Sequence, residues 1–156
     1  MRAVLQRVTG AAVHVERTEV ARIGVGLVVL VAVGREDTER SATWLAEKVA
    51  HLRVFEDHQG RMAAALTDVQ GAALVVPQFT LYGDARKGRR PDFTAAAGPP
   101  EARRLFEHFV VTLRSLGIPV KTGHFGARML VEILNDGPVT LIVDSPSVSR
   151  GDEGGR

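Results

Sequence analysis

Apolar and polar positions along the chain change period several times, and each change marks an element. Ala3 to Thr9 alternates loosely and is rich in β-formers. Gly10 interrupts it, and Ala11 to Glu16 resumes with Val13 and Val15 on one face and His14 and Glu16 on the other. That pattern predicts a hairpin turning near Gly10. Val25 to Val33 is an almost unbroken Val/Leu run, as expected of a strand covered on both faces. Thr38 to His51 carries Trp44, Leu45 and Val49 at helical spacing, continued by Leu52, with Thr38 as a cap and Ser41 as an alternative start. Leu52 to Glu56 returns to strand character before a turn at Asp57-His58-Gln59-Gly60, and Ala72 to Val76 is an apolar strand that stops at Pro77.

Gly83 to Pro100 is the least regular stretch. Pro99 and Pro100 suit the first turn of a second helix, Glu101 to Gly117, with an apolar stripe of Leu105, Phe109, Leu113 and Leu116 and Gly117 as its C-cap. Val120 to Thr122, Arg128 to Asn135 and Val139 to Asp144 close the strand set. Residues 1–146 read as a single domain and 147–156 as a disordered tail, poor in apolar residues. Many strands and two helices predict an α+β fold: a strongly curved or barrel-like, mostly antiparallel sheet with the two main helices packed outside.

Composition narrows the function classes. A chain of 156 residues with 45% hydrophobic content can bury an ordinary core. No cysteine is present, which removes disulfides and thiolate metal ligands. His14, His51, His58, His108 and His124 show no metal-ligand spacing, so no metal and no cofactor is expected. The N-terminus lacks a signal-peptide pattern, and Gly24 to Gly34 is too short to span a bilayer; a cytoplasmic protein without membrane contact is expected. A net charge of +2 is too small for wrapping duplex nucleic acid but sufficient for a small contact with one end of an RNA. Arg86, Lys87, Arg89 and Arg90 form a basic cluster that reads either as a solvated loop or as a phosphate contact.

Two segments without obvious side-chain chemistry stand out. In Pro77-Gln78-Phe79-Thr80-Leu81 the chain leaves a strand at a proline, so the next backbone N–H groups need new partners. Such donors can form an oxyanion hole; equally, the segment can be a bulge with Phe79 in the core. In Asn135-Asp136-Gly137-Pro138-Val139-Thr140, Gly137-Pro138 reads either as a tight turn between strands or as a rigid wedge bearing carbonyls. Phe125 and Met129 suit core packing and pocket lining equally.

The chain resembles the D-aminoacyl-tRNA deacylase family over about residues 1–146. The resemblance is carried by Met1 to Val8, Trp44 to Lys48, Leu52 to Phe55, Gln78 to Tyr82, Lys87 to Pro91, Thr122 to Ala127 and Asn135 to Thr140. The family usually has Ser where this chain has Pro77. A Pro there is similar to a related group with a looser pocket, although that group tends to lose the Phe kept here as Phe79. The resemblance implies a homodimer that hydrolyses the ester between a D-amino acid and the acceptor end of tRNA, with glycine as an allowed second cargo. It implies Gln78, Phe79 and Thr80 as the catalytic segment, and Gly137 and Pro138 as a cis-bonded wedge entering the partner subunit's pocket. Pro77, Phe125 and Met129 would line that pocket. Arg7, Arg86, Lys87, Arg89 and Arg90 are expected to contact tRNA. Thr80 is either a nucleophile or, as preferred here, a supporting part of a site where main-chain donors and the substrate's own 2′-hydroxyl do the chemistry. Two rival readings are an RNA-end binding module without turnover and a small-ester hydrolase indifferent to RNA.

Overall fold

The computed structural model describes residues 1–147. The chain forms β1 (Arg2–Val15), β2 (Thr18–Ile23), β3 (Gly26–Ala32), α1 (Glu39–His51), β4 (Phe55–Glu56), β5 (Met62–Ala64), β6 (Ala72–Pro77), α2 (Pro99–Ser115), β7 (Val120–Thr122) and β8 (Leu130–Asp144). A single 3₁₀ turn, Phe79–Tyr82, follows β6. The main sheet runs β2-β1-β3-β6-β7, with β8 added along β1. Pairings of β1 with β2, β3 and β8 are antiparallel, whereas β3-β6 and β6-β7 are parallel. β2 also approaches β6 and β7, curling the mixed sheet into a nearly closed barrel. The α+β, barrel-like expectation holds, with a parallel portion added.

β3 explains why the sheet needs two cores. Val28 points into the barrel with Val8, Val13, Leu74 and Val76. Leu27, Val29 and Val31 point the other way, onto Leu45, Val49, Leu105 and Phe109 of the two helices. A strand buried on both faces has no polar period, as its sequence shows. The two helices lie against each other, linked by Thr43 and His108 (Oγ1 to Nε2, 2.9 Å) and by the Arg104–Glu39 ion pair at 2.7 Å. Thr38 caps α1, its N–H donating to Ser41 Oγ at 3.1 Å. Gly117 closes α2 at φ +86°, a left-handed conformation that glycine adopts without strain.

The structure corrects three local expectations. β1 runs unbroken through Gly10, and the hairpin turns at Glu16-Arg17 into β2, a strand the sequence pattern did not reveal. Both turn residues are left-handed (φ 50° and 66°), as a tight hairpin requires, yet neither is Gly, Asn or Asp. The expected Leu52–Glu56 strand shortens to Phe55–Glu56, paired with β5. The last two predicted strands are one: β8 pairs with β1 on both sides of Gly137-Pro138, so those residues do not make a turn between strands. The expected tail falls, apart from Ser147, outside the described residues.

Candidate functional site

A cavity of about 620 Å³ opens at the carboxyl ends of the parallel strands β3 and β6. Crevices beyond the carboxyl ends of parallel strands are favoured ligand sites because loops diverge there. Its walls come from Val31 to Val33, Val76 and Pro77, the start of α2 (Pro99, Ala102, Phe106) and the segment from Phe125 to Val131. Gln78, Phe79 and Phe93 stand at its polar and aromatic side. Of the expected site residues, Pro77, Gln78, Phe79, Phe125 and Met129 are therefore brought together by one cavity. Met129 is seated by Gly123, where a Cβ would lie 2.5 Å from the thioether sulfur. Arg103 lies over the Phe125 ring at 5.1 Å.

The segment expected to be catalytic, Gln78 to Thr80, is shaped by what Pro77 ends. Pro77 completes the ladder opposite Val31, and the Gln78 N–H still donates to the Val31 carbonyl at 2.8 Å. The chain then turns into the 3₁₀ element, where Leu81 N–H donates to Gln78 O (3.2 Å) and Gly83 N–H to Thr80 O (2.9 Å). The N–H groups of Phe79 and Thr80 head this turn and have no protein acceptor among the described residues. Unpaired first-turn donors of this kind are suited to an oxygen carrying developing negative charge. The Thr80 hydroxyl accepts a short hydrogen bond from the Gln78 side-chain amide. Neither a carboxylate nor an imidazole is a hydrogen-bond partner of Thr80 among the described residues, so the segment offers donors and no assembled base. The far end of the turn is anchored by Tyr82, under the Arg2 guanidinium at 5.2 Å. Burial, with Asp37 nearby, pushes the Tyr82 phenol up to about 12 and keeps it neutral.

Gly137-Pro138 is cis, as the resemblance implied, and rides on an excursion of β8. Val8 pairs with Asn135 and Gln6 with Thr140, so Asp136 to Val139 stand opposite Arg7 alone. Asn135 Nδ2 closes the excursion by donating to Arg7 O (2.9 Å) and Val139 O (3.1 Å). Gly137, at φ +119°, is in a conformation that L side chains rarely adopt, and it is crowded: a Cβ would lie 3.0 Å from both Arg7 Nη2 and Val139 Cγ2. Gly137 and Pro138 are exposed and do not line the cavity of their own chain.

Arg7 requires a correction. It was expected on tRNA, but it is only 7% exposed. Its Nη1 donates to Val54 O at 2.9 Å and its Nε to Asp136 O at 3.2 Å, with the Asp136 carboxylate 3.4 Å away. A guanidinium committed to main-chain carbonyls inside the protein holds the Gly137-Pro138 excursion; it is not presented to phosphate. Arg86 is exposed but bound to Asp84 through several hydrogen bonds, the shortest 2.6 Å, and this pairing holds the Asp84 carboxyl down at about 2. Lys87, Arg89 and Arg90 are exposed, and no ion pair engages them among the described residues. Phe93, which sequence reasoning passed over, packs edge-on against Phe79 with ring centroids 5.2 Å apart.

The structure thus brings two main-chain donors without a protein acceptor next to an apolar cavity, beside a loop whose Lys87, Arg89 and Arg90 make no ion pair among the described residues. Residues 4–144 match the family described as D-Tyr-tRNA(Tyr) deacylase. A D-aminoacyl-tRNA deacylase of Heliobacterium modesticaldum is 60% identical, over 92% of this chain and 96% of that protein. One of Thermus aquaticus is 58% identical, over 93% and 95%. A solved structure titled as a c-Myc DNA unwinding element binding protein is 40% identical with a TM-score of 0.88, over 94% of this chain and 99% of that one. The chain belongs to the D-aminoacyl-tRNA deacylase family and is an ester hydrolase acting on aminoacyl-tRNA.

Proposed function

We propose that the chain works as a homodimer in which each cavity is completed by the partner's Gly137-Pro138, and that this shared site reads the chirality of the α-carbon. The observation that carries the reading is a separation. Phe79 lines the cavity and Thr80 follows it at the head of the same turn, whereas Gly137 and Pro138 lie outside the lining, on an exposed stretch of β8. Among the described residues that strand, β8, pairs with β1 alone, and it carries Leu130, Leu134 and Ile142 at 63–69% exposure. A long edge strand with an apolar outer face is a liability unless another surface covers it.

In this reading the D-aminoacyl ester enters with its carbonyl oxygen toward the Phe79 and Thr80 N–H groups, which stabilise the tetrahedral oxyanion. The substrate's terminal 2′-hydroxyl assists, and Thr80 supports the segment through Gln78. The wedge rejects an L side chain by collision, and each tenfold of discrimination needs only about 1.4 kcal/mol. Glycine passes because it has nothing to reject. Pro77 lines the cavity with ring carbons where family members carry a hydroxyl, making that wall more apolar. Lys87, Arg89 and Arg90 hold acceptor-end phosphates, with Arg86 contributing less because Asp84 engages it. Among the described residues no helix is long and apolar enough to cross a membrane, and a tRNA substrate supports a cytoplasmic location.

Complementation tests the shared site. Phe79→Pro removes a donor and Gly137→Val blocks the wedge, so each homodimer should be impaired. Mixed dimers contain one site with an intact Phe79 and an intact Gly137, and should recover deacylation of D-aminoacyl-tRNA. Absence of recovery in verified mixed dimers, or a monomer at micromolar concentration in solution scattering, would contradict the proposal.

A further inference from the structure

Gly83 to Gly98 joins the catalytic turn to α2, and its hydrogen bonds divide it into a tip and a base. Asp84 and Asp92 exchange both main-chain bonds, Asp84 N–H to Asp92 O at 2.7 Å and Asp92 N–H to Asp84 O at 2.9 Å. Each carboxylate also stiffens its own side of the loop: Asp84 accepts from the Arg86 N–H at 3.0 Å and Asp92 from the Thr94 N–H at 2.7 Å. The seven residues between them carry all four cations of the basic cluster. The residues just outside this clasp are Gly83 and Phe93, and they touch. A Cβ on Gly83 would lie 2.9 Å from Phe93 Cε1 and 3.0 Å from the Thr80 carbonyl. The Phe93 ring in turn meets Phe79 at an interplanar angle of 72°. The base is pinned to the barrel by Arg35 N–H to Ala95 O (3.1 Å) and Ala97 N–H to Val33 O (2.9 Å). A rigid clasp therefore links the basic tip to the unpaired donors of Phe79 and Thr80 through one aromatic contact.

We propose that Phe93 is a positioning residue: it holds the Phe79–Thr80 donor pair in place and makes that placement responsive to phosphate binding at Lys87, Arg89 and Arg90. The inference rests on the main-chain-donor reading of the site. An aromatic pair meeting edge to face has a preferred geometry that an aliphatic side chain does not reproduce. Phe93 is 36% exposed, so its replacement leaves both buried cores intact.

The test compares Phe93→Leu, Phe93→Tyr and the triple variant Lys87→Ala/Arg89→Ala/Arg90→Ala with the parent, on D-aminoacyl-tRNA and on D-aminoacyl-adenosine. The parent should turn over tRNA faster than adenosine at saturation. Phe93→Leu should lower kcat on tRNA by about tenfold or more with little change in KM, the signature of an interaction realised in the transition state. It should also bring the two substrates' kcat values together, and Phe93→Tyr should restore the parental pattern. The triple variant should lower kcat on saturating tRNA toward the adenosine value. A Phe93→Leu variant that changes only KM, or a Phe93→Tyr variant as slow as Phe93→Leu, would overturn the proposal. A parent that releases no D-amino acid from tRNA would instead overturn the function on which it rests.

Discussion

Replacing Arg7 by Met probes the support of the Gly137-Pro138 excursion. Met fills much of the aliphatic volume, so packing losses are small. What disappears is a buried charge-assisted bond to Val54 O and a more exposed one to Asp136 O. Hydrogen bonds from charged groups are worth roughly 1.5–3 kcal/mol, and the half-exposed Asp136 side is discounted for solvent screening. The expected loss is about 2–4 kcal/mol, or roughly 4–16 °C in Tm for a domain of this size. Urea unfolding at fixed protein concentration measures the stability term. Single-turnover deacylation of matched D- and L-aminoacyl-tRNA measures the functional one. The loosened excursion should narrow the D/L rate ratio while the Phe79 donors stay in place. An Arg7→Met protein with parental stability and a parental D/L ratio would refute the reasoning.

Thr80→Ala should retain measurable turnover, losing less than about 10²-fold because only a supporting hydroxyl is removed; an acyl-enzyme trapped in the parent and absent in the variant would make Thr80 the nucleophile. Glycyl-tRNA should be deacylated while the corresponding L-alanyl-tRNA is spared, and parallel single-turnover assays on the two substrates check this. Arg86 holds the Asp84 carboxyl down at about 2, below the ordinary carboxylate range, so the pairing favours the folded loop above that ordinary range, and the contribution is lost as pH falls through about 2. Carbon-detected NMR titration of Asp84 should therefore show a depressed midpoint in the parent and a value nearer the ordinary carboxylate range in Arg86→Ala.

How far the sequence reached depended on how local each determinant was. α1 and α2 were legible because Leu45 and Val49, and Leu105, Phe109 and Leu113, recur at helical spacing between Thr38 and Gly117. β3 was legible because burial on both faces leaves an unbroken apolar run. The Glu16-Arg17 turn was not, since neither residue carries the usual signal of left-handed backbone. The continuity of β8 past Gly137-Pro138 depends on the Asn135 side chain and on Arg7, more than a hundred positions away in sequence. Arg7 itself could have been found: it shares the inward parity of Ala3 and Leu5, an improbable place for a phosphate contact. Phe93 lies in a segment without period, so only three-dimensional contact reveals it.

The division of labour between main chain and side chain is tested most directly by comparing Phe79→Pro with Phe79→Ala in single-turnover deacylation of D-aminoacyl-tRNA. Both variants lose the aromatic ring, but only Pro lacks the N–H, and the head of a helical turn tolerates it. With circular dichroism confirming the fold of each, Phe79→Pro should be slower than Phe79→Ala by about 10²–10³-fold, the usual cost of one oxyanion donor. Equal rates for the two variants would contradict catalysis by the main-chain donors of this segment.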